Sequence, residues 1–138
     1  MIAFLDSSVV LRRLFGEPDS LSEWPAIREA WASRLLGVEV GRVIDRTRLA
    51  GEIDDEQVVE LQHESRRALR SVQIVGFSDR ILERAAGPMP TALGSLDAIH
   101  LATALEIVAT RVPRLVVATH DRQLARAARA SGLDVVGV

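Results

Sequence analysis

The chain has 138 residues, of which 48% are hydrophobic and 26% are charged, and its formal net charge is −2. This length suits a single domain, residues 1–138, with a core of its own. The near-neutral charge argues against a protein that coats nucleic acid without specificity. There is no cysteine, which excludes disulfides, thiolate zinc sites and cysteine nucleophiles. All 17 basic residues are arginine, which excludes a P-loop and a catalytic lysine.

The sequence predicts no membrane segment, because it has no run of about 18 uncharged apolar residues. The first residues lack a basic stretch and reach Asp6 too early for a signal peptide. We therefore expect a cytoplasmic protein that makes no contact with a membrane.

The apolar spacing predicts strands and helices that alternate along the chain. In chain order these are a strand at 2–5, a helix at 7–15, a helical segment at 19–31, a long helix from Ser33 to Ala50, a helix from Asp54 to Arg70, a strand at 72–75, a helix from Ser78 to Gly87, a helix opened by Ser95 as its N-cap, a strand at 115–118, a helix at 121–131 and a short strand at 135–136. Continuous aliphatic strands separated by helices indicate a parallel sheet covered on both faces. The predicted fold class is α/β.

The helical segment at 19–31 is predicted from its large apolar residues. Trp24, Ile27 and Trp31 recur near the helical period, and Pro25 suits the first turn of a helix.

Four acidic residues stand where such a sheet gathers its functional groups. Asp6 and Asp121 each follow a predicted strand, Asp97 lies in the first turn of its helix, and Glu39 lies within about two turns of its helix start. Ligands of an open α/β sheet bind outside the carboxyl ends of the strands, so all four can reach one edge. Close carboxylates repel one another, and a hard cation such as Mg²⁺ or Mn²⁺ removes that repulsion. The sequence therefore predicts a metal site.

Each acid also has a structural alternative. Asp6 and Asp121 suit helix N-caps, and Asp97 complements the dipole of its helix. Glu39 is the hardest to explain structurally, because its neighbours are apolar. The coincidence of four such positions favours the metal site over four separate structural roles.

Three further polar residues lie beside these acids in the sequence. The hydroxyls of Ser8 and Thr119 suit either helix caps or partners that hold a carboxylate or a phosphate oxygen. His100 follows Asp97 by three residues, so it shares a helical flank with that acid. A hydrogen-bonded structural histidine is the favoured interpretation, and a general acid is the alternative.

Four motifs in this order resemble a PIN-domain nuclease, specifically the VapC toxins of bacterial and archaeal toxin–antitoxin pairs. They are LDSSV at 5–9, SRLLGVEV at 33–40, LDAIHLATA at 96–104 and THD at 119–121. The resemblance covers essentially the full chain. It implies a PIN-like three-layer α/β/α sandwich with a central parallel sheet, homodimerisation, and inhibition by a small cognate antitoxin.

The resemblance also implies an activity, namely Mg²⁺- or Mn²⁺-dependent endoribonuclease cleavage of structured RNA such as tRNA or rRNA, with growth arrest. Asp6, Glu39, Asp97 and Asp121 match the acidic quartet of the family. We assign Asp6 and Asp97 as the principal metal ligands, and Glu39 and Asp121 as further ligands that act directly or through water. Ser8 and Thr119 match hydroxyls that often lie beside that quartet.

Other functional classes fit less well. A receiver-like phosphoacceptor domain needs a lysine, and the chain has none. A haloacid-dehalogenase-like phosphatase needs a second acid two residues after Asp6, where Ser8 stands. A noncatalytic binding module on the same scaffold is the remaining alternative.

Two further residue sets suggest macromolecular partners. The arginines near the first two acids either contact RNA phosphates or form a solvated face with Asp45 and Glu52; they are Arg12, Arg13, Arg42, Arg46 and Arg48.

The apolar residues of 9–31 exceed what two short helices need against one sheet; they are Val9, Val10, Leu11, Leu14, Phe15, Leu21, Trp24, Ile27 and Trp31. The surplus is expected to form a groove for an amphipathic antitoxin helix.

Overall fold

The computed structural model describes all residues, 1–138, and contains a five-stranded sheet in the order β3-β2-β1-β4-β5. Its strands are β1 (Ile2–Leu5), β2 (Glu29–Ser33), β3 (Gln73–Val75), β4 (Leu115–Ala118) and β5 (Asp134–Val136). Its helices are α1 (Ser7–Leu14), α2 (Leu35–Leu49), α3 (Asp55–Arg70), α4 (Asp79–Ala86), α5 (Ser95–Thr110) and α6 (Arg122–Ala130). Every neighbouring pair of strands is parallel, which confirms the predicted α/β class.

The side chains of the central strand β1 alternate between two hydrophobic layers. Phe4 points into a cluster with residues of α5 and α6, among them Leu101 and Leu124. Ala3 and Leu5 point to the other face and join residues of α1 and α2. This alternation follows from the two-residue period of a strand. Helices therefore cover both faces of the sheet, as the three-layer prediction requires.

The helix predicted at 19–31 is wrong. The segment contains only a 3₁₀ turn at Trp24–Ala26, and the chain then enters β2. Ala30 and Trp31 of β2 lie opposite Ala3 and Phe4 of β1. Pairing with β1 on one side and β3 on the other outweighs the local helical spacing, because strand preference depends mainly on tertiary surroundings.

Two predicted helix starts are shifted. The long helix α2 begins at Leu35 rather than Ser33, because residues up to Ser33 belong to β2. Ser95 is the first residue of α5 and not its N-cap, which is Gly94. The other elements agree with the prediction to within a residue or two.

No helix of the protein combines the length and the apolar character needed to cross a bilayer.

Candidate active site at the carboxyl edge of the sheet

Asp6 directly follows β1 at the centre of the sheet and is only 4% exposed. Its Oδ2 accepts hydrogen bonds from the hydroxyls of Ser8 (2.5 Å) and Thr119 (2.8 Å). The same carboxylate caps α1 through a longer contact of 3.4 Å from the Ser8 amide. The hydroxyls of Ser8 and Thr119 thus hold a carboxylate, one of their two predicted roles, and they orient Asp6 from two elements. The other oxygen of Asp6, Oδ1, accepts no hydrogen bond.

Thr119 connects the first and the last acid of the predicted quartet. Besides donating to Asp6, its Oγ1 accepts the backbone N–H of Asp121 at 2.9 Å. Asp121 is the N-cap of α6, since its Oδ1 accepts from the amides of Gln123 and Leu124 at 2.6 and 2.9 Å. The capping alternative for Asp121 is therefore correct as far as Oδ1 is concerned. Its Oδ2 has no hydrogen-bond partner within the protein, so one oxygen is left for a ligand.

Glu39 projects from α2 and is half-buried. Its Oε2 lies 2.7 Å from Nε2 of His100, whose other ring nitrogen lies 3.0 Å from the Ser33 hydroxyl. His100 and Ser33 are both 0% exposed. His100 is thus the hydrogen-bonded histidine that the sequence favours, although its partners were not predicted. Ser33 was missed as a site residue, and its only sequence signal is its place as the first residue of the second motif.

The pKa of Asp97 responds to burial and to the charges of the other three acids. Burial is the main reason why the pKa of Asp97 is raised above its ordinary value, and the charges of Asp121 and Asp6 raise it further. Glu39 adds to the effect, whereas His100 opposes it. The charges of the other three acids therefore reach Asp97.

Acidic residues of this site also raise the pKa of His100, because their negative charges stabilise its protonated form. Burial of its ring opposes the charged form, but the hydrogen bond to Glu39 and the charge of Asp6 outweigh it, so the pKa of His100 is raised. Its Nε2 lies 3.8 Å from Oδ1 of Asp6, beyond hydrogen-bonding distance. The histidine therefore lies beside two of the acids and is bonded to one of them.

The donor chemistry of this site suits a hard divalent cation. All four candidate ligands are carboxylates, and the charges of the other three add to the effect of burial in raising the pKa of Asp97. In the structure as it stands, no three acidic or histidine side chains lie close enough together to coordinate a single ion. The charge and the oxygen donors nevertheless fit a hard divalent cation such as Mg²⁺ or Mn²⁺.

Most of the arginines proposed for RNA contact have other partners. Arg42 and Arg48 both pair with Asp45 at 2.9 Å, which is the solvated face considered as the alternative. Arg12 pairs with Glu17 at 3.7 Å, and Arg13 stacks 4.7 Å from the centre of the Trp24 ring. Of the proposed set, only Arg46 makes neither an ion pair nor a stacking contact.

A groove of about 920 Å³, lined by both apolar and charged residues, lies on the α1 side of the sheet. Leu14, Trp24 and Ile27 line it, together with Leu69 of α3. Trp31 does not line it, because this residue is only 6% exposed and packs in the opposite layer. The prediction of a surface groove thus agrees with the structure for Trp24 and is wrong for Trp31.

Known proteins resemble this chain over almost its full length. A family model described as PIN domain matches residues 3–130. Ribonuclease VapC46 of Mycobacterium tuberculosis is 31% identical, and the match covers 96% of this chain and 95% of that protein.

Solved structures share the fold at lower identity. A toxin–antitoxin complex from Klebsiella pneumoniae has a chain with a TM-score of 0.63 and 20% identity, covering 97% of this chain and 95% of that one. VapBC2 from Rickettsia felis, bound to a DNA fragment from its promoter, gives a TM-score of 0.63 at 14% identity, covering 98% and 97%. The family match and the 31% identical relative show that the chain belongs to the PIN-domain family, and within it to the VapC type.

Proposed function

We propose that the protein is a Mg²⁺- or Mn²⁺-dependent endoribonuclease, a single PIN domain over residues 1–138 that acts in the cytoplasm as the toxin of a type II toxin–antitoxin pair. The observation that carries this proposal is geometric: Thr119 contacts both Asp6 and the backbone of Asp121, and His100 lies 2.7 Å from Glu39 and 3.8 Å from Asp6. Asp97 is close enough for the charges of these acids to act on it. The name of the 31% identical relative, a ribonuclease, supports the same activity.

Each acid has its own part in the proposed site. Asp6 and Asp97 are the principal metal ligands, and Glu39 and Asp121 add ligands directly or through water. A bound divalent cation lowers the pKa of a water molecule and polarises a phosphoryl oxygen. The hydroxyls of Ser8 and Thr119 keep Asp6 in place while its Oδ1 remains free.

Positive charge at the same edge of the sheet is needed to bind RNA, because phosphates dominate nucleic-acid affinity. Arg34 follows β2 and Arg122 follows Asp121, so the two arginines lie on either side of β1, the strand that Asp6 follows. Both are exposed, and neither forms an ion pair. Together with Arg46 they are the arginines that we expect to contact phosphates of a structured RNA such as tRNA or rRNA, whose cleavage arrests growth.

The proposed protein partner is a small antitoxin, whose amphipathic helix enters the groove beside Trp24. The ring of Trp24 is half-buried and lines this groove, where it offers an aromatic anchor to the helix. The Klebsiella chain with this fold comes from a toxin–antitoxin complex, which supports such a partner. Homodimerisation stays a prediction of the family resemblance, and light scattering of the purified protein tests it.

The activity is tested with purified protein, structured RNA and Mg²⁺ or Mn²⁺. We expect cleavage that EDTA stops and that Asp6→Asn or Asp97→Asn abolishes, together with growth arrest, while the circular dichroism spectrum is unchanged. Asp79→Asn is the matched control, since Asp79 also lies in the first turn of a helix but its charge is not among those that act on Asp97. Full activity in a well-folded Asp97→Asn preparation would overturn the metal site. No cleavage by the parent, with intact antitoxin binding, would favour the noncatalytic binding module.

A further inference from the structure

His100 is a polar side chain at the centre of the protein with both ring nitrogens engaged. It is 0% exposed, and the edge of its ring meets the ring of Phe4 at a centroid distance of 6.0 Å. Nδ1 lies 3.0 Å from Ser33 Oγ and Nε2 lies 2.7 Å from Glu39 Oε2. One imidazole therefore connects the end of β2, the helix α5 and the helix α2.

The direction of these hydrogen bonds follows from the donors that each group has. Ser33 Oγ accepts the backbone N–H of Leu35 at 3.2 Å, which leaves its own proton free to donate to Nδ1 of His100. The neutral ring then carries its proton on Nε2 and donates it to Glu39. A doubly protonated ring donates to both partners. In both states the same N–H points at the Glu39 carboxylate, so this contact does not depend on the charge of His100.

The contact provides a hydrogen-bond partner for only one of the two carboxylate oxygens of Glu39. Oε2 is held by the histidine, whereas Oε1 makes no hydrogen bond within the protein, and Glu39 is half-buried rather than enclosed. The same Nε2 lies 3.8 Å from Oδ1 of Asp6, the oxygen of that residue without a hydrogen bond. His100 thus lies between two acids, and each of them keeps one oxygen free.

We propose that His100 is a positioning residue: the chain Ser33–His100–Glu39 holds the Glu39 carboxylate beside Asp6 before a cation arrives. The inference rests on the proposed function, because the free oxygens matter only if a cation binds them. Groups that orient metal ligands from behind typically change metal affinity by about 10- to 100-fold when they are removed. A histidine that only filled the core would have no such effect.

The test measures Mn²⁺ binding to the full chain without RNA, by following the electron paramagnetic resonance signal of free Mn²⁺. His100→Leu removes both hydrogen bonds, whereas His100→Gln can place an amide N–H near the former Nε2. We expect His100→Leu to bind Mn²⁺ about 10- to 100-fold more weakly, and His100→Gln to recover most of that loss. High Mn²⁺ should also restore RNA cleavage by His100→Leu.

Thr103→Val is the matched control. Thr103 lies on the same helix at 0% exposure, but its hydroxyl donates only to the carbonyl of Ile99 in that helix. Mn²⁺ affinity of this variant should equal that of the parent. Parental Mn²⁺ affinity in His100→Leu, or equal losses in His100→Gln and His100→Leu, would overturn the proposal. If His100→Leu does not fold, Ser33→Ala replaces it, and an unchanged affinity in Ser33→Ala is then the contradicting result.

A second measurement separates this inference from the proposed function. In the metal-free protein, the Nε2 proton of His100 should give a slowly exchanging imidazole N–H resonance that shifts in Glu39→Ala. If this resonance is present and shifts but the parent binds no Mn²⁺, the proposed metal site fails while the hydrogen-bonded chain stands. If the resonance is absent or does not respond to Glu39→Ala, the positioning role fails.

Discussion

The hydroxyl of Thr119 donates a 2.8 Å hydrogen bond to Oδ2 of Asp6, which lies 113 residues away in the sequence. Thr119 is 0% exposed and follows β4, and Asp6 follows the neighbouring strand β1. Because the same hydroxyl also accepts the backbone N–H of Asp121, one side chain sets the position of an acid on each of two adjacent strands. The site therefore depends on a residue that is not itself acidic.

Thr119→Val is expected to weaken both the fold and the site. The substitution keeps the shape of the side chain but leaves a buried carboxylate oxygen and a buried amide without this partner, which should lower the free energy of unfolding by about 1–3 kcal/mol. Thr119→Ser keeps the hydroxyl and removes one buried methyl group, so its free energy of unfolding should fall by only about 1 kcal/mol. Cleavage should be retained. Urea unfolding followed by tryptophan fluorescence measures the first effect. A Val variant as stable and as active as the parent would contradict the role of this hydroxyl.

Asp97→Asn should make the metal-free protein more stable at neutral pH. The folded-state pKa of Asp97 is raised above its ordinary value of 3.8, so the folded protein holds this proton more tightly than the unfolded chain. Stability therefore falls as pH rises from 3.8 through the folded-state pKa, and the loss persists above it. The Asn variant has no such loss. In EDTA, the greater stability of Asp97→Asn over the parent should therefore disappear at acidic pH.

Urea unfolding of the parent and Asp97→Asn across this pH range in EDTA measures that difference, with Asp79→Asn as the control. Added Mg²⁺ should reverse the order at pH 7, because only the parent retains the full set of carboxylates. A variant that is less stable than the parent at pH 7 in EDTA would show that repulsion among the acids is not the dominant effect.

Most of the fold was predictable, because aliphatic strands and helix ends are local signals. The strand β2 was not, since its sequence EAWAS contains two alanines and lacks the branched residues that mark a strand. The spacing of Trp24, Ile27 and Trp31 suggested a helix by coincidence. What places Trp31 in the core is pairing with β1 and β3, which a single sequence does not reveal.

The acids of the candidate site were predictable from their places after strands and in first helical turns. Their partners were not. The contact between His100 and Glu39 joins residues 61 apart and depends on how α5 packs against β2 and α2. For Arg42 and Arg48 the sequence left a choice between RNA phosphates and Asp45, and the placed side chains show the pairs with Asp45.

Trp24→Ala should weaken antitoxin binding by on the order of 30-fold in Kd, which corresponds to about 2 kcal/mol, the loss typical of a buried aromatic anchor. Trp24→Phe keeps most of the ring but removes the unpartnered Nε1 donor, so a smaller loss is expected. Phe77→Ala is the control, because Phe77 is 46% exposed and does not line the groove. Calorimetric titration with the antitoxin measures the three affinities. If a folded Trp24→Ala protein binds the antitoxin as tightly as the parent does, the antitoxin binds at another surface. The nuclease proposal does not depend on this result.

Gly137→Ala should impair both stability and cleavage, because Gly137 lies against the backbone of Thr119. Its φ is +96°, and a Cβ added there would lie 2.6 Å from the Thr119 carbonyl oxygen. Gly132 is the matched control, with a φ of +83° and open space around its Cα. Gly132→Ala should therefore show backbone strain alone, about 1–2 kcal/mol, with normal cleavage. Gly137→Ala should lose more stability and also displace the hydroxyl that holds Asp6. Equal unfolding free energies and equal cleavage rates in the two variants would show that Thr119 tolerates the displacement.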